Sequence, residues 1–235
     1  MTVQRAIEKV RNGEFVLIHD SAGREDETDM VMPAESVEPR HVARMREEAG
    51  GLICAAIHPR VAEALELPFL SEVYRSASPD YEILESAKAD DLPYDERSAF
   101  SIPVNHRSTF TGITDKDRAL TIRELGKLSG EIFEGNSVPD FGERFRTPGH
   151  VPLLKAASGL VSERMGQTEL SVCLLELSGL TPCSVVCEML DTGTNEALSE
   201  SKARRYSVDN DMVFLEGDEI KEYYLERKEE LDRDG

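Results

Sequence analysis

The chain has 235 residues, 40% hydrophobic and 31% charged, enough for one large domain or two small ones with a real core. Acidic residues outnumber basic ones 46 to 27, a formal net charge of -19, which argues against partners that demand clustered cations, namely nucleic acid and anionic membrane. No apolar run reaches the roughly 18 residues that span a bilayer, and Met1-Thr2-Val3-Gln4-Arg5 lacks the pattern of a secretory signal, so the expected compartment is the cytoplasm.

The basic deficit falls on Lys, with 8 against 19 Arg, a pattern expected of an acidic proteome adapted to high salt. Equal thermal stability from low to molar KCl would end that reading. Cys54, Cys173, Cys183 and Cys187 show no C-x-x-C spacing and sit mostly in apolar runs, where free thiols pack as small hydrophobes.

In chain order, Thr2 caps a helix on which Val3, Ile7 and Val10 recur at helical spacing, and Gly13 ends it. Residues 15–18 read as a strand, followed by a strand near 30–32, a helix over 39–48 stopped by Gly50-Gly51, a strand over 52–57 and a short helix over 59–65. Residues 71–97 mix Pro, Asp and Ser without a sustained period and read as a structured excursion. Residues 100–105 alternate as a strand, with Pro103 marking an edge or bulge. A helix over 117–128 and a Gly/Pro-rich loop over 135–152 come next. A helix over 168–178, a strand over 185–190, a helix over 196–206, a strand over 212–215 and a helix over 218–231 complete the pattern. Alternating strands and helices predict a single layered α/β domain over residues 1–235, with a mixed sheet flanked by helices.

The run Arg24-Glu25-Asp26-Glu27-Thr28-Asp29 places a carboxylate at every second position. If it is extended, Glu25, Glu27 and Asp29 share one side, where three oxygens can serve a divalent cation or a sugar's hydroxyls. Acidic runs such as Glu47-Glu48 and Asp90-Asp91 need no such role. Thr111-Gly112-Ile113-Thr114 and Arg164-Met165-Gly166-Gln167-Thr168 each precede a helix, where free amides cradle phosphate or merely cap. His150 sits between two prolines as a proton carrier held still, or in an ordinary turn. Glu188 interrupts an apolar strand and must be paired or face a cleft. Cys54 reads as core, with a lesser chance of lining the site.

Taken in order, Arg24-Glu25-x-Glu27-x-Asp29, Gly51-Leu52-Ile53-Cys54, Thr111-Gly112-Ile113-Thr114-x-x-Asp117-Arg118, Arg146-Thr147-Pro148-Gly149-His150-Val151, Arg164-x-Gly166-x-Thr168-Glu169 and Val186-Cys187-Glu188 resemble the 3,4-dihydroxy-2-butanone 4-phosphate synthase family, in its archaeal, monofunctional form. The resemblance spans about residues 3–225. It implies conversion of D-ribulose 5-phosphate to 3,4-dihydroxy-2-butanone 4-phosphate and formate, Mg²⁺ or Mn²⁺ as cofactor, and a homodimer with sites at the subunit interface. Position by position it implies metal ligation by Glu25 and Gln167, and substrate contacts from Arg24, Asp29, Thr111 and Glu188. Arg164, Gly166, Gln167 and Thr168 would hold the phosphate end, and His150, Glu188, Asp29 and Glu27 would serve turnover. The family motif carries His where this chain has Gln167, whose carbonyl oxygen suits a hard ion but moves no protons. The chemistry itself needs a base, an acid and a cation over adjacent oxygens. A silent phosphosugar sensor or a metal-assisted isomerase would use the same residues, and only the synthase releases formate.

Overall fold

The computed structural model describes residues 2–21, 23–93, 95, 97–136 and 140–234, with side chains described to residue 228. Tyr94 and Glu96 of the expected excursion, and 137–139 of the expected loop, lie outside the described residues. The elements are α1 (Thr2–Arg11), β1 (Val16–His19), β2 (Thr28–Pro33), α2 (Pro39–Arg44), β3 (Cys54–Ile57), α3 (Pro59–Ala64), α4 (Leu70–Ala77), α5 (Glu82–Ser86), β4 (Phe100–His106), α6 (Asp115–Phe133), α7 (Phe141–Arg144), β5 (Phe145–Lys155), α8 (Gln167–Leu177), β6 (Cys183–Glu188), β7 (Leu190–Asp191), β8 (Glu196–Ala197), α9 (Glu200–Asp209), β9 (Val213–Glu216) and α10 (Gly217–Asp234).

Seven strands form one mixed sheet in the order β4-β5-β3-β6-β2-β1-β9, and β7 and β8 make a separate hairpin. The pairs β1/β9 and β3/β5 are parallel and the rest antiparallel. Alternation along each strand sorts side chains between two cores. Leu17, Met30, Met32 and Val185 face α2 and α6, which supply Val42, Ile122, Leu125 and Leu128. Val16, Ile18, Val31 and Val186 face α1, α8 and α10, which supply Ile7, Leu170 and Ile220. α8 is buried over residues 167–175 because it lies between the sheet and two outer helices, and its buried set includes the polar Gln167, Thr168, Glu169 and Ser171 at its N-terminal end.

Differences from the sequence expectation have local causes. The expected loop over 135–152 contains α7 and eight residues of β5, because those residues pair with β4 and the strand continues against β3. Tertiary pairing outweighs the turn propensity of its Gly and Pro. β4 is the edge strand, with register shifts on either side of Pro103, as its sequence predicts. The helix over 39–48 changes to a π turn over Met45–Ala49 and stops at Gly50, where φ is 91°. The helix expected from 196 starts at Glu200, since Glu196 and Ala197 pair with β7. The excursion holds α4 and α5.

Register places the candidate site. Asp29, near the start of β2, pairs with Glu188, the last residue of β6, and both share the face of Val31 and Val186 beneath α8.

Candidate active site

The acidic run is a turn, not an extended strand, up to Thr28. Asp20, buried at the end of β1, accepts hydrogen bonds from the Glu25 and Glu27 amides at 3.1 and 3.0 Å, and its own amide donates to the Glu27 carbonyl at 3.1 Å. Asp26 takes a left-handed φ of 56°, which an Asx residue tolerates. One buried carboxylate thus ties down the loop and replaces the strand alternation expected from sequence. Among the described residues, no three His, Cys, Asp or Glu side chains converge into a metal cage, so the one-sided carboxylate trio that an extended run would give is not formed.

Glu25, Asp29, Glu188, Arg164, Gln167 and Thr168 nevertheless line one cavity of about 100 Å³, together with Cys54. Glu188 is anchored by the Leu52 amide, which donates to its Oε2 at 2.7 Å. Gly51 makes this possible, because a Cβ there would lie 2.5 Å from both the Glu188 carbonyl and its carboxylate. Cys54 lines the cavity as a neutral thiol: burial, then the charges of Glu188 and Asp29, push its pKa well up.

The carboxylates are held near the edge of ionisation. Burial pushes Glu25 up against the pull of Arg24. Burial, then Glu25, Glu188 and Asp20, push Glu27 to about 7. Asp29 lies well above the ordinary range, first through burial and then through Glu188 and Glu27. Asp29 Oδ1 and Gln167 Oε1 are buried without a hydrogen-bond partner among the described residues. The orientation of Gln167 is dictated by its neighbours: its Nε2 donates to the carbonyls of Ile18 at 3.0 Å and Glu27 at 3.1 Å, so the amide oxygen is the atom left over.

The basic end is a charge relay that the sequence reading missed. Arg164 Nε donates to Asp95 at 2.6 Å and Nη1 to Glu169 at 2.6 Å, while Arg24 Nη2 reaches Asp95 at 3.2 Å. Burial opposes the Arg164 charge, but Glu169 and Asp95 outweigh it. Glu169 also accepts from the Ala157 amide at 2.8 Å. Gly166 is required where Arg164 folds back, since a Cβ would meet its Nη1 at 2.1 Å. The only sequence signal for Asp20 is its spacing of four residues to Arg24, whereas Glu169 closes the family motif five residues after Arg164; Asp95 gave none.

Glu27 and Gly166 do not line this cavity, Arg24 lines the neighbouring one, and Thr111 and His150 stand apart from it. They meet each other through Asn105, whose Oδ1 accepts the His150 amide at 2.8 Å and whose Nδ2 stands 3.1 Å from His150 Nδ1 and 3.5 Å from the Thr111 carbonyl. His150 is therefore an exposed strand residue, not one held in a stiff loop. The amides expected to cradle phosphate at Thr111-Gly112-Ile113-Thr114 are partly committed: Thr114 caps α6 and Asp117 accepts the Gly112 amide at 2.8 Å. Phe110, 94% exposed, and Ile113 flank Thr111.

An α/β fold with carboxylates and guanidinium groups around one small cavity suits an enzyme of sugar-phosphate chemistry. The family model for 3,4-dihydroxy-2-butanone 4-phosphate synthase matches residues 4–223. The chain is 51% identical to the synthase of Methanosarcina mazei over 225 residues, 95% of this chain and 91% of that one. It is equally 51% identical to that of Archaeoglobus fulgidus over 227 residues, 96% and 95% of the two. A crystal structure of a synthase in complex with two magnesium ions matches with a TM-score of 0.76 and 29% identity, covering 97% of each chain. The chain belongs to the 3,4-dihydroxy-2-butanone 4-phosphate synthase family, lyases of riboflavin biosynthesis that convert D-ribulose 5-phosphate to 3,4-dihydroxy-2-butanone 4-phosphate and formate.

Proposed function

We propose that this synthase reaction runs in the cavity between β2, β6 and the start of α8, and that it depends on Mg²⁺, with Mn²⁺ a weaker substitute. The observation that carries this is the pair of buried oxygens without a hydrogen-bond partner among the described residues, Asp29 Oδ1 and Gln167 Oε1, in one pocket with Glu25. Hard oxygen donors of this kind suit magnesium, which is commonly held by one or two protein ligands with water and substrate completing its shell. Glu25 and Gln167 would hold the ion. When bound, it supplies Lewis-acid polarisation of adjacent substrate oxygens.

The protein's own groups do the rest. Glu27, titrating near 7, takes and returns a carbon-bound proton at neutral pH. Asp29 serves the departure of the hydroxyl, and Glu188, fixed by the Leu52 amide, orients substrate hydroxyls. Arg24 contacts substrate from the relay, and Arg164, Gly166 and Thr168 at the start of α8 receive the phosphate. His150 and Thr111 complete the site from a second subunit of a homodimer, which the exposed Phe110 and Ile113 beside them support. The four buried free cysteines fit the reducing cytoplasm.

The test is ¹³C-labelled ribulose 5-phosphate followed by NMR. Formate release that chelator abolishes and Mg²⁺ restores is expected; turnover indifferent to chelator would remove the metal role. Binding without formate would leave a phosphosugar sensor.

A further inference from the structure

Arg24 and Arg164 converge on a single oxygen of Asp95. Its Oδ2 accepts from Arg164 Nε at 2.6 Å and from Arg24 Nη2 at 3.2 Å. The side chains of Asp95, Arg24 and Arg164 are 12%, 13% and 15% exposed, so water screens the contact little. Burial alone raises the Asp95 pKa, but Arg164 and then Arg24 outweigh it and hold the carboxyl below its usual range. A charged carboxylate therefore bridges the two guanidinium groups. It belongs to the connection between α5 and β4, outside every helix and strand.

The two arginines are already outnumbered. Beside them stand Asp95, Glu169 at 2.6 Å, Asp20 at 3.6 Å and Glu25 at 3.9 Å, two positive charges among four carboxyl groups. Asp20 and Glu169 are fixed by backbone amides, and Glu25 has the proposed metal to serve. A phosphate monoester brings a further charge of about −1.5 to −2 and three acceptor oxygens, which call for the same converging donors. Arg24 Nε is buried without a hydrogen-bond partner among the described residues, so one shared carboxylate oxygen satisfies this donor set incompletely. Asp95 is also the carboxylate with somewhere to go. It borders the neighbouring cavity with Arg75, Arg97 and Lys155, the last two seated 3.9 and 4.7 Å from the centroid of the Phe69 ring.

We infer that Asp95 is an internal competitor of the substrate: its carboxylate bridges Arg24 and Arg164 in this structure and has to leave them when ribulose 5-phosphate binds. The inference rests on the proposed receipt of the phosphate by Arg164. Asp95 keeps the two arginines converged until a stronger anion arrives. A competitor of this kind lowers the apparent affinity of every anion that must displace it by one common factor and leaves neutral sugars untouched. It sets a threshold that weak anions do not cross.

The test uses Asp95→Asn in the full-length enzyme with Mg²⁺. KM for ribulose 5-phosphate and the calorimetric Kd for inorganic phosphate are expected to fall together, by about tenfold, while competition by unphosphorylated D-ribulose stays unchanged. A residue that merely braced the arginines would give the opposite sign. Asp95→Glu keeps the charge and is expected to stay within about threefold of the parent in phosphate affinity. In the parent itself, amide hydrogen exchange around Asp95 is expected to rise when inorganic phosphate is added, a readout that needs no variant to fold. Constants unchanged or raised in Asp95→Asn, equal tightening of D-ribulose, slower exchange around Asp95, or no phosphate binding in either protein would overturn the inference. Calorimetry and exchange need no turnover, so a parent enzyme that releases no formate would fail the proposed reaction with the competition still measurable.

Discussion

The acidic pocket and the Asn105 corner lie toward the same end of one sheet, where β3 begins and β6 ends, yet they are built by opposite means. In the pocket, Asp20, Asp29 and Glu169 are buried, backbone amides are spent on carboxylates, and two oxygens are left unsatisfied. At the corner, Asn105 satisfies the His150 amide while the imidazole remains exposed, its Nδ1 3.1 Å from the Asn105 side-chain nitrogen. Desolvated charge is costly and is retained where a ligand compensates it. An exposed imidazole beside exposed Phe110 needs a second surface to become a site. On the reading proposed above, the two regions are complementary halves of one site.

Several changes would break or sharpen that contrast. Glu25→Gln is expected to reduce formate release about 1,000-fold while leaving the melting temperature unchanged or higher, since it removes a desolvated charge. Wild-type turnover in that variant would take Glu25 out of the metal site. His150→Asn is expected to lose about 100-fold in kcat. Mixing it with the Glu25→Gln protein is then expected to restore about one quarter of the parental activity if the two halves meet across a two-fold interface. No recovery after subunit exchange would mean that His150 does not serve a partner.

Asp20→Asn removes an acceptor from the turn and is expected to weaken Mg²⁺ binding about tenfold or more, measured by calorimetry. Gln167→His is expected to tighten Mn²⁺ binding about tenfold relative to Mg²⁺; an unaltered ratio would count against direct ligation. The smallest effect is one of pH. Glu27 ordinarily titrates at 4.5 and here at about 7, so the folded protein holds the proton longer and metal-free stability declines as pH rises between those values. The rise in melting temperature on adding Mg²⁺ is accordingly expected to be larger at about pH 8 than at about pH 5.5. A pH-independent rise would contradict the shift.

Much of this was readable before any coordinates. Val3, Ile7 and Val10 repeat at helical spacing and bury on one face of α1, and Pro103 marks the irregular edge strand as its missing N–H requires. Six motifs in order identified the family, and the departure at Gln167 was visible as a single letter. What failed was local geometry. The two-residue period of the carboxylates puts them on one side only if the segment is extended, whereas Asp20, invisible as a site residue, folds the segment into a turn. His150 read as a loop residue because Pro148 and Pro152 are turn formers, until pairing with β4 drew them into β5.

The sequence by itself determined the alternation of elements, the two-sided burial of the central strands, the family and the residue types available for chemistry, because periodicity and side-chain identity are local properties of the chain. Tertiary structure alone decided that Asp29 faces Glu188, that Arg164 is shared between Asp95 and Glu169, that the amide oxygen of Gln167 is left without a partner, and that Arg97 and Lys155 share one aromatic ring. Those placements depend on strand register and on what packs against the sheet, which join residues as far apart as Asp29 and Glu188, 159 positions. Such long-range placement sets which charges lose water and which donors remain free, and no local pattern encodes it.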